Sequence, residues 1–146
     1  MNEYKKSKRL ALSWDQEYKP NIDNLKFWLD KNTEKHRVSN LDIFMLCLGV
    51  GLESGEKRDV PPRKSDAIRL ETIKETTIAI WKGIALLDTQ DPMILLDEDK
   101  VYDIIEQFAA AGLKILTLEM STQNDFPSWL RQKLYKQAEA FAASNS

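Results

Sequence analysis

The sequence predicts a mainly α-helical protein, a single irregular domain of about five helices, on three observations. Apolar residues recur at three- and four-residue spacing along most of the chain beyond residue 21. Helix-capping residues stand in front of these segments, and glycine or proline stands behind or between them. No segment repeats at a fixed period and no linker divides the 146 residues, a length that suits one domain and lets roughly 68–70% of the unfolded surface be buried.

Residues 1–20 carry no sustained period and close at Pro20, which places them as an N-terminal arm outside a helical body of 21–143. A first helix follows Asn21: Ile22, Leu25, Trp28 and Leu29 share one face, Asp23 sits in the dipole-favoured first turn, and the end falls near 33–35. The polar stretch Lys31 to Val38 links it to a second helix, capped by Ser39 or Asn40 and starting near Leu41. The run Leu41 to Leu52 is apolar nearly all round, which predicts the most buried element, at the centre of the fold or in a subunit interface. Gly49 and Gly51 allow close approach of another element, and Gly55 is a left-handed cap.

Residues 56–69 hold five basic residues against three acidic ones, and Pro61 and Pro62 make them a stiffened loop. A third helix over 70–87 would bury Ile73, Thr77, Ile80, Trp81, Ile84 and Leu87. Asp91-Pro92 breaks the chain before a short turn through Leu96. Asp97 then caps a fourth helix with Glu98 and Asp99 in its first turn and Val101, Ile104, Ile105, Phe108 and Ala109 on its apolar face. Gly112 either ends that helix or is spanned by it, so 113–118 reads as a short strand or as continuing helix. Asp125 and Pro127 start the last helix, whose stripe is Trp129, Leu130, Leu134, Ala138, Phe141 and Ala142, with Lys133 and Lys136 facing water and a frayed tail over 144–146.

Composition narrows the function classes. Apolar residues at 42% suffice for a core, while 30% charged residues and a net charge of -2 give a solvated surface of mixed sign. The N-terminal basic residues are followed only by Leu10-Ala11-Leu12, too short for a secretory signal, and no apolar run approaches the roughly 20 residues of a membrane span, so a cytoplasmic protein without membrane contact is expected. Cys47, the single cysteine, excludes an internal disulfide and reads as a small buried hydrophobe. His36, the single histidine, lies between Lys35 and Arg37 and has no second ligand nearby, so neither a zinc set nor a cofactor is expected. The cluster Asp97, Glu98, Asp99, Asp103 and Glu106 lacks the ligand alternation and central glycine of a calcium loop and is explained by capping and the helix dipole.

What remains is charge layout. Fourteen of the 21 basic residues fall before residue 74. Lys5, Lys6, Lys8 and Arg9 on the arm and Lys57, Arg58, Arg63, Lys64 and Arg69 in the loop are the candidate contacts to a DNA backbone, set against the plainer reading of a solvated tail and loop. Trp14, outside every periodic segment, is the candidate anchor for a protein partner.

One family resemblance adds context. The stretch from Asn40 to Leu118, through Asp42-Ile-Phe-Met-Leu-Cys-Leu-Gly-Val-Gly-Leu, the loop with Arg58 and Arg63, Ile68-Arg-Leu, Asp91-Pro-Met-Ile-Leu and Phe108-Ala-Ala-Ala-Gly-Leu113, resembles small proteins associated with DNA phosphorothioation (Dnd) systems. The resemblance implies a non-catalytic accessory protein of a DNA modification and restriction cassette, with protein partners from the same operon and Arg58, Arg63 and Lys64 as the matched loop's candidates for DNA. Two alternatives stand beside it: an adaptor or homo-oligomeric regulator that never touches DNA, and a metal-dependent nuclease built on Asp97, Asp99 and Asp103.

Overall fold

The computed structural model describes residues 4–31, 37–61 and 64–144, and it is a mainly helical fold. Five α-helices are joined by a two-stranded antiparallel sheet: β1 (Ala11–Asp15), α1 (Lys19–Lys31), α2 (Asn40–Ser54), β2 (Lys64–Arg69), α3 (Glu75–Thr89), α4 (Glu98–Thr122) and α5 (Phe126–Ser144). The expected link around His36, the loop residue Arg63 and the chain beyond Ser144 lie outside the described residues.

Local chemistry sets most boundaries. Ser39 and Asp42 form a reciprocal capping box at the start of α2, and Gly55 closes it at φ 72° with its N–H on the carbonyls of Gly51 and Leu52. Asp97 accepts from the Lys100 N–H at the start of α4, and Asp125 accepts from the Ser128 N–H at the start of α5. Residues 70–72 form a short 3-10 turn, so α3 begins at Glu75 rather than at 70.

The fold is built on α2 packed against α4. Gly51 meets the Phe108 carbonyl and Gly112 meets the Cys47 carbonyl so closely that a Cβ at either position would overlap main-chain atoms. The two backbones therefore touch, and Gly112 is spanned by α4 rather than ending it. The alternative of a strand over 113–118 is thereby corrected: Leu113 and Leu116 are buried on the same helix face as Ala109 and Ile105. Gly49, by contrast, has open space where its Cβ would be, so only one of the two α2 glycines serves the contact.

The expectation that α2 is the most buried element is also corrected. It buries Ile43, Phe44, Cys47, Leu48, Val50 and Gly51, but Leu41, Met45 and Leu46 are half-buried. The deeper element is α4, which buries nearly every residue from Tyr102 to Leu113 apart from Asp103 and Gln107, because α2, α3 and β1 cover it from different sides. Trp81 of α3 joins the pair through Phe44, at 6.0 Å between centroids, and through Tyr102 at 6.4 Å edge-on.

Strand β1 lies within residues 1–20, the stretch expected as an N-terminal arm of uncertain order. Ala11 to Asp15 pair with Arg69 to Lys64 across a β-bulge at Leu12/Ser13, and Leu12, Ser13, Trp14 and Asp15 are all buried. Trp14 is thus a core residue, 3% exposed, not the projecting partner anchor its isolation suggested. The expected stripes of α3 and α5 are corrected in part. Trp81 and Leu130 are buried and Ile84 is half-buried, whereas Ile80, Leu87, Leu134, Ala138 and Ala142 are exposed. Lys133, expected in water, pairs instead with Glu53 of α2 at 3.1 Å. Among the described residues, no helix is long and apolar enough to cross a membrane.

The glycine contact generates a paired expectation. Gly51→Ala or Gly112→Ala should destabilise the fold by roughly 1–3 kcal/mol or more, since main chain must separate to admit the methyl group. Gly49→Ala should stabilise it by about 0.8–1.0 kcal/mol through helix propensity. Urea melts followed by circular dichroism check both; equal effects at positions 49 and 51 would contradict the close approach.

Candidate functional site

The two charge clusters singled out in the sequence meet each other. Asp99, Asp103 and Glu106 lie four and three residues apart on one face of α4, the spacing that stacks side chains along a helix. The N-terminal arm runs across that face. The Lys5 N–H donates to the Leu96 carbonyl at 2.6 Å, and the Glu98 N–H returns a bond to the Lys5 carbonyl at 3.1 Å. The Ser7 N–H donates to Glu98 Oε1 at 2.8 Å and the Ser7 hydroxyl to Asp99 Oδ1 at 2.5 Å. Arg9 then forks, one nitrogen 2.5 Å from Asp103 and the other 2.8 Å from Glu106, with Asp99 at 4.0 Å.

Glu106 is the innermost member of the cluster. It is 8% exposed, and besides Arg9 it takes the Ser13 backbone N–H of β1 on its second oxygen at 2.5 Å. One carboxylate therefore ties the arm and the strand to α4. Burial raises its pKa above the ordinary 4.5, against the Ser13 N–H, Arg9 and Lys64, which favour the charged form. Arg9 also loses solvent, but Asp103, Glu106 and Asp99 outweigh that loss and hold its pKa up.

The loop cations are similarly engaged. Lys57 pairs with Asp88 at 2.8 Å, and Arg58 lies 3.4 Å from the buried Asp15 and 5.6 Å from the centre of the Tyr18 ring. The loop itself is strapped to α4, the Arg58 N–H on the Gln107 carbonyl at 3.0 Å and the Gln107 amide on Asp59 at 3.0 Å. Arg69 pairs with Glu71 at 3.5 Å with both side chains about three-quarters exposed, a contact worth little. Lys64 belongs to β2 and lines a groove of 290 Å³ with Arg9, Asp59, Asp103 and Glu106. Lys5, Lys6, Lys8 and Lys64 are exposed and form no ion pair among the described residues.

The residues of the alternative chemistry are committed as well. Asp97 caps α4, Asp99 accepts from Ser7 and Asp103 holds Arg9. Among the described residues no group of three or more His, Cys, Asp or Glu is placed to hold a metal ion. Cys47 is fully buried, which pushes its thiol up to about 12. Sequence reasoning did not find Asp15 or Glu106 as partners of the basic residues, nor Ser7 as a partner of Glu98 and Asp99. The alternation Leu10, Leu12, Trp14 was a usable strand signal for the segment that carries Asp15, whereas nothing local marks Ser7 or marks Glu106 as the acceptor of a strand N–H.

Beside the exposed lysines, two helix faces leave apolar side chains uncovered. The outer face of α3 carries Thr76, Ala79, Ile80, Gly83 and Leu87 without a charge, Ile80 being 58% and Leu87 73% exposed. In the first two turns of α5, Phe126, Trp129 and Leu130 pack against the body and Lys133 pairs with Glu53. Beyond them Leu134 and Tyr135 are 45% and 65% exposed.

A family model described as DNA sulphur modification system-associated protein 4 matches residues 29–145, which carries the resemblance across most of the chain. No curated protein and no solved structure shows a significant match.

The arm clamp generates two linked expectations. Arg9→Ala should lower stability by roughly 1–3 kcal/mol, less than for a fully buried pair because Asp103 and Asp99 are half-exposed, and should speed amide exchange in residues 4–10. Because folding raises the Glu106 pKa, its contribution to stability is fully present below the unfolded value near 4.5 and is lost as pH rises through the folded value. The wild type should accordingly gain stability relative to Glu106→Gln as pH is lowered from about 7 to about 4.5. Urea melts across that range read the slope; the opposite sign would mean that Glu106 is held ionised.

Proposed function

The chain belongs to the DNA sulphur modification system-associated protein 4 family, and from that membership we propose that it is a non-catalytic accessory subunit that binds other proteins of the sulphur-modification system. The observation that carries this reading is the internal use of the charged groups. Arg9, Lys57 and Arg58 face carboxylates of the same chain, so a phosphate backbone would have to displace Asp103, Glu106, Asp88 or Asp15 to reach them. Among the described residues the outer face of α3 is apolar, exposed and free of charge. Such a face favours a protein partner, because removing Ile80 and Leu87 from water gains about 25 cal/mol per Å² with no ion to desolvate.

The absence of catalysis in this reading is supported by how candidate groups are held. The Cys47 thiol stays protonated, and the carboxylates proposed for a nuclease cap a helix or hold the arm. A place in the cytoplasm, beside the DNA that the system modifies or restricts, completes the reading.

A second reading has its own observation. Lys5, Lys6 and Lys8 stand exposed on the pinned arm and Lys64 on β2, four cations that would suit weak, sequence-independent contact with a DNA backbone.

Two measurements separate these. Co-expression with the modification and restriction proteins of the same system should yield a complex that survives high salt and is lost on Leu87→Asp, with the variant's melting temperature unchanged. A gel-shift titration with plain and phosphorothioated duplexes should show no shift at physiological salt. A shift whose log–log salt slope of roughly -0.9 per phosphate flattens by about 3 on replacing Lys5, Lys6 and Lys8 by alanine would put the DNA reading first.

A further inference from the structure

The outer half of α5 presents a face that fits a copy of itself. Arg131, Leu134, Tyr135, Ala138 and Ala142 recur at three- and four-residue spacing on one side of the helix. All five are exposed, while Leu130 and Lys133, turned toward the body, are buried or paired to Glu53. Arg131 and Glu139 border this face, and neither forms an ion pair among the described residues. Eight residues apart, they are separated by about 12 Å of helix rise and do not meet within one helix.

We propose that two copies of the chain associate through α5, antiparallel about a two-fold axis that sets each Tyr135 against the partner's Ala138. That register places large against small on both sides of the axis. It brings Arg131 within about 5 Å, along the axis, of the partner's Glu139, and symmetry repeats the ion pair. The parallel arrangement would instead set Arg131 against the partner's Arg131, so charge complementarity selects both the occupant and its direction. The cations at the back of the helix do not oppose it: Lys133 is tied to Glu53, and Lys136 lies on the far side from the apolar face. The contact, from Arg131 to Ala142, spans a little over three turns, small beside a standard interface, so association in the micromolar range is expected. This surface is distinct from the α3 face of the protein-binding reading.

Sedimentation equilibrium of the full chain from low to high micromolar concentration tests it. The wild type should pass from monomer to dimer, and Ala138→Glu should stay monomeric with an unchanged circular-dichroism melt. Arg131→Glu and Glu139→Arg should each weaken dimerisation about tenfold by opposing like charges, and the double variant should restore it. A wild type that is monomeric throughout overturns the proposal, as does a dimer indifferent to both single reversals. The monomeric Ala138→Glu chain should still join the complex that Leu87→Asp disrupts, so failure of self-association and failure of the protein-binding reading give different results.

Discussion

Backbone contact between α2 and α4 is the constraint on which the remaining structure depends. Where Gly51 faces Phe108 and Gly112 faces Cys47, no side chain separates the two helices, and dispersion contacts along the seam are correspondingly dense. Drawing α2 this close leaves its other faces to α1 and β2, while α4 keeps two sides for β1 and α3. Trp81 can then fill the space beside Phe44 and Tyr102 because the α2 and α4 axes are close enough for one aromatic side chain to touch both.

The polar half of α4 is a consequence of the same placement. A helix buried on its apolar faces still turns Asp99 and Asp103 toward the arm and Glu106 toward both the arm and β1, and a carboxylate that loses water needs donors. Ser13 and Arg9 supply them, so the arm is ordered by electrostatics rather than by an apolar period. Charge that looks like a binding surface in the sequence becomes, in three dimensions, an internal fastening. The net charge of -2 describes the whole chain and says nothing of this local cancellation.

Once those charges are spent, the surface divides differently from the sequence. Exposed cations remain on the arm and at β2, and exposed apolar side chains remain on α3 and α5. Exposed apolar residues scattered singly need no explanation, but Ile80 and Leu87, or Leu134 and Tyr135, lie on shared helix faces, the kind of surface to which the two proposed contacts are assigned. Both proposed contacts use such faces, and neither requires the core to move.

Helix number, both ends of α2 and the starts of α4 and α5 were legible in the sequence, because a capping box at Ser39, a left-handed glycine at 55 and caps at Asp97 and Asp125 act within a few residues. Helical class followed from period alone. Which face of a helix meets protein and which meets water was not legible for α3 and α5: Ile80 and Leu134 carry the same apolar signal as Trp81 and Leu130, and only the position of α2 and α4 decides which of them is covered. Nor could the strand register or the partners of Arg9 and Arg58 be read, since Glu106 is 97 residues from Arg9 and Asp15 is 43 from Arg58. The sequence by itself determined the helices, through short-range hydrogen bonding and spacing. The tertiary structure alone decided which charges neutralise each other and which apolar faces stay uncovered, because those depend on contacts between residues that no local pattern connects.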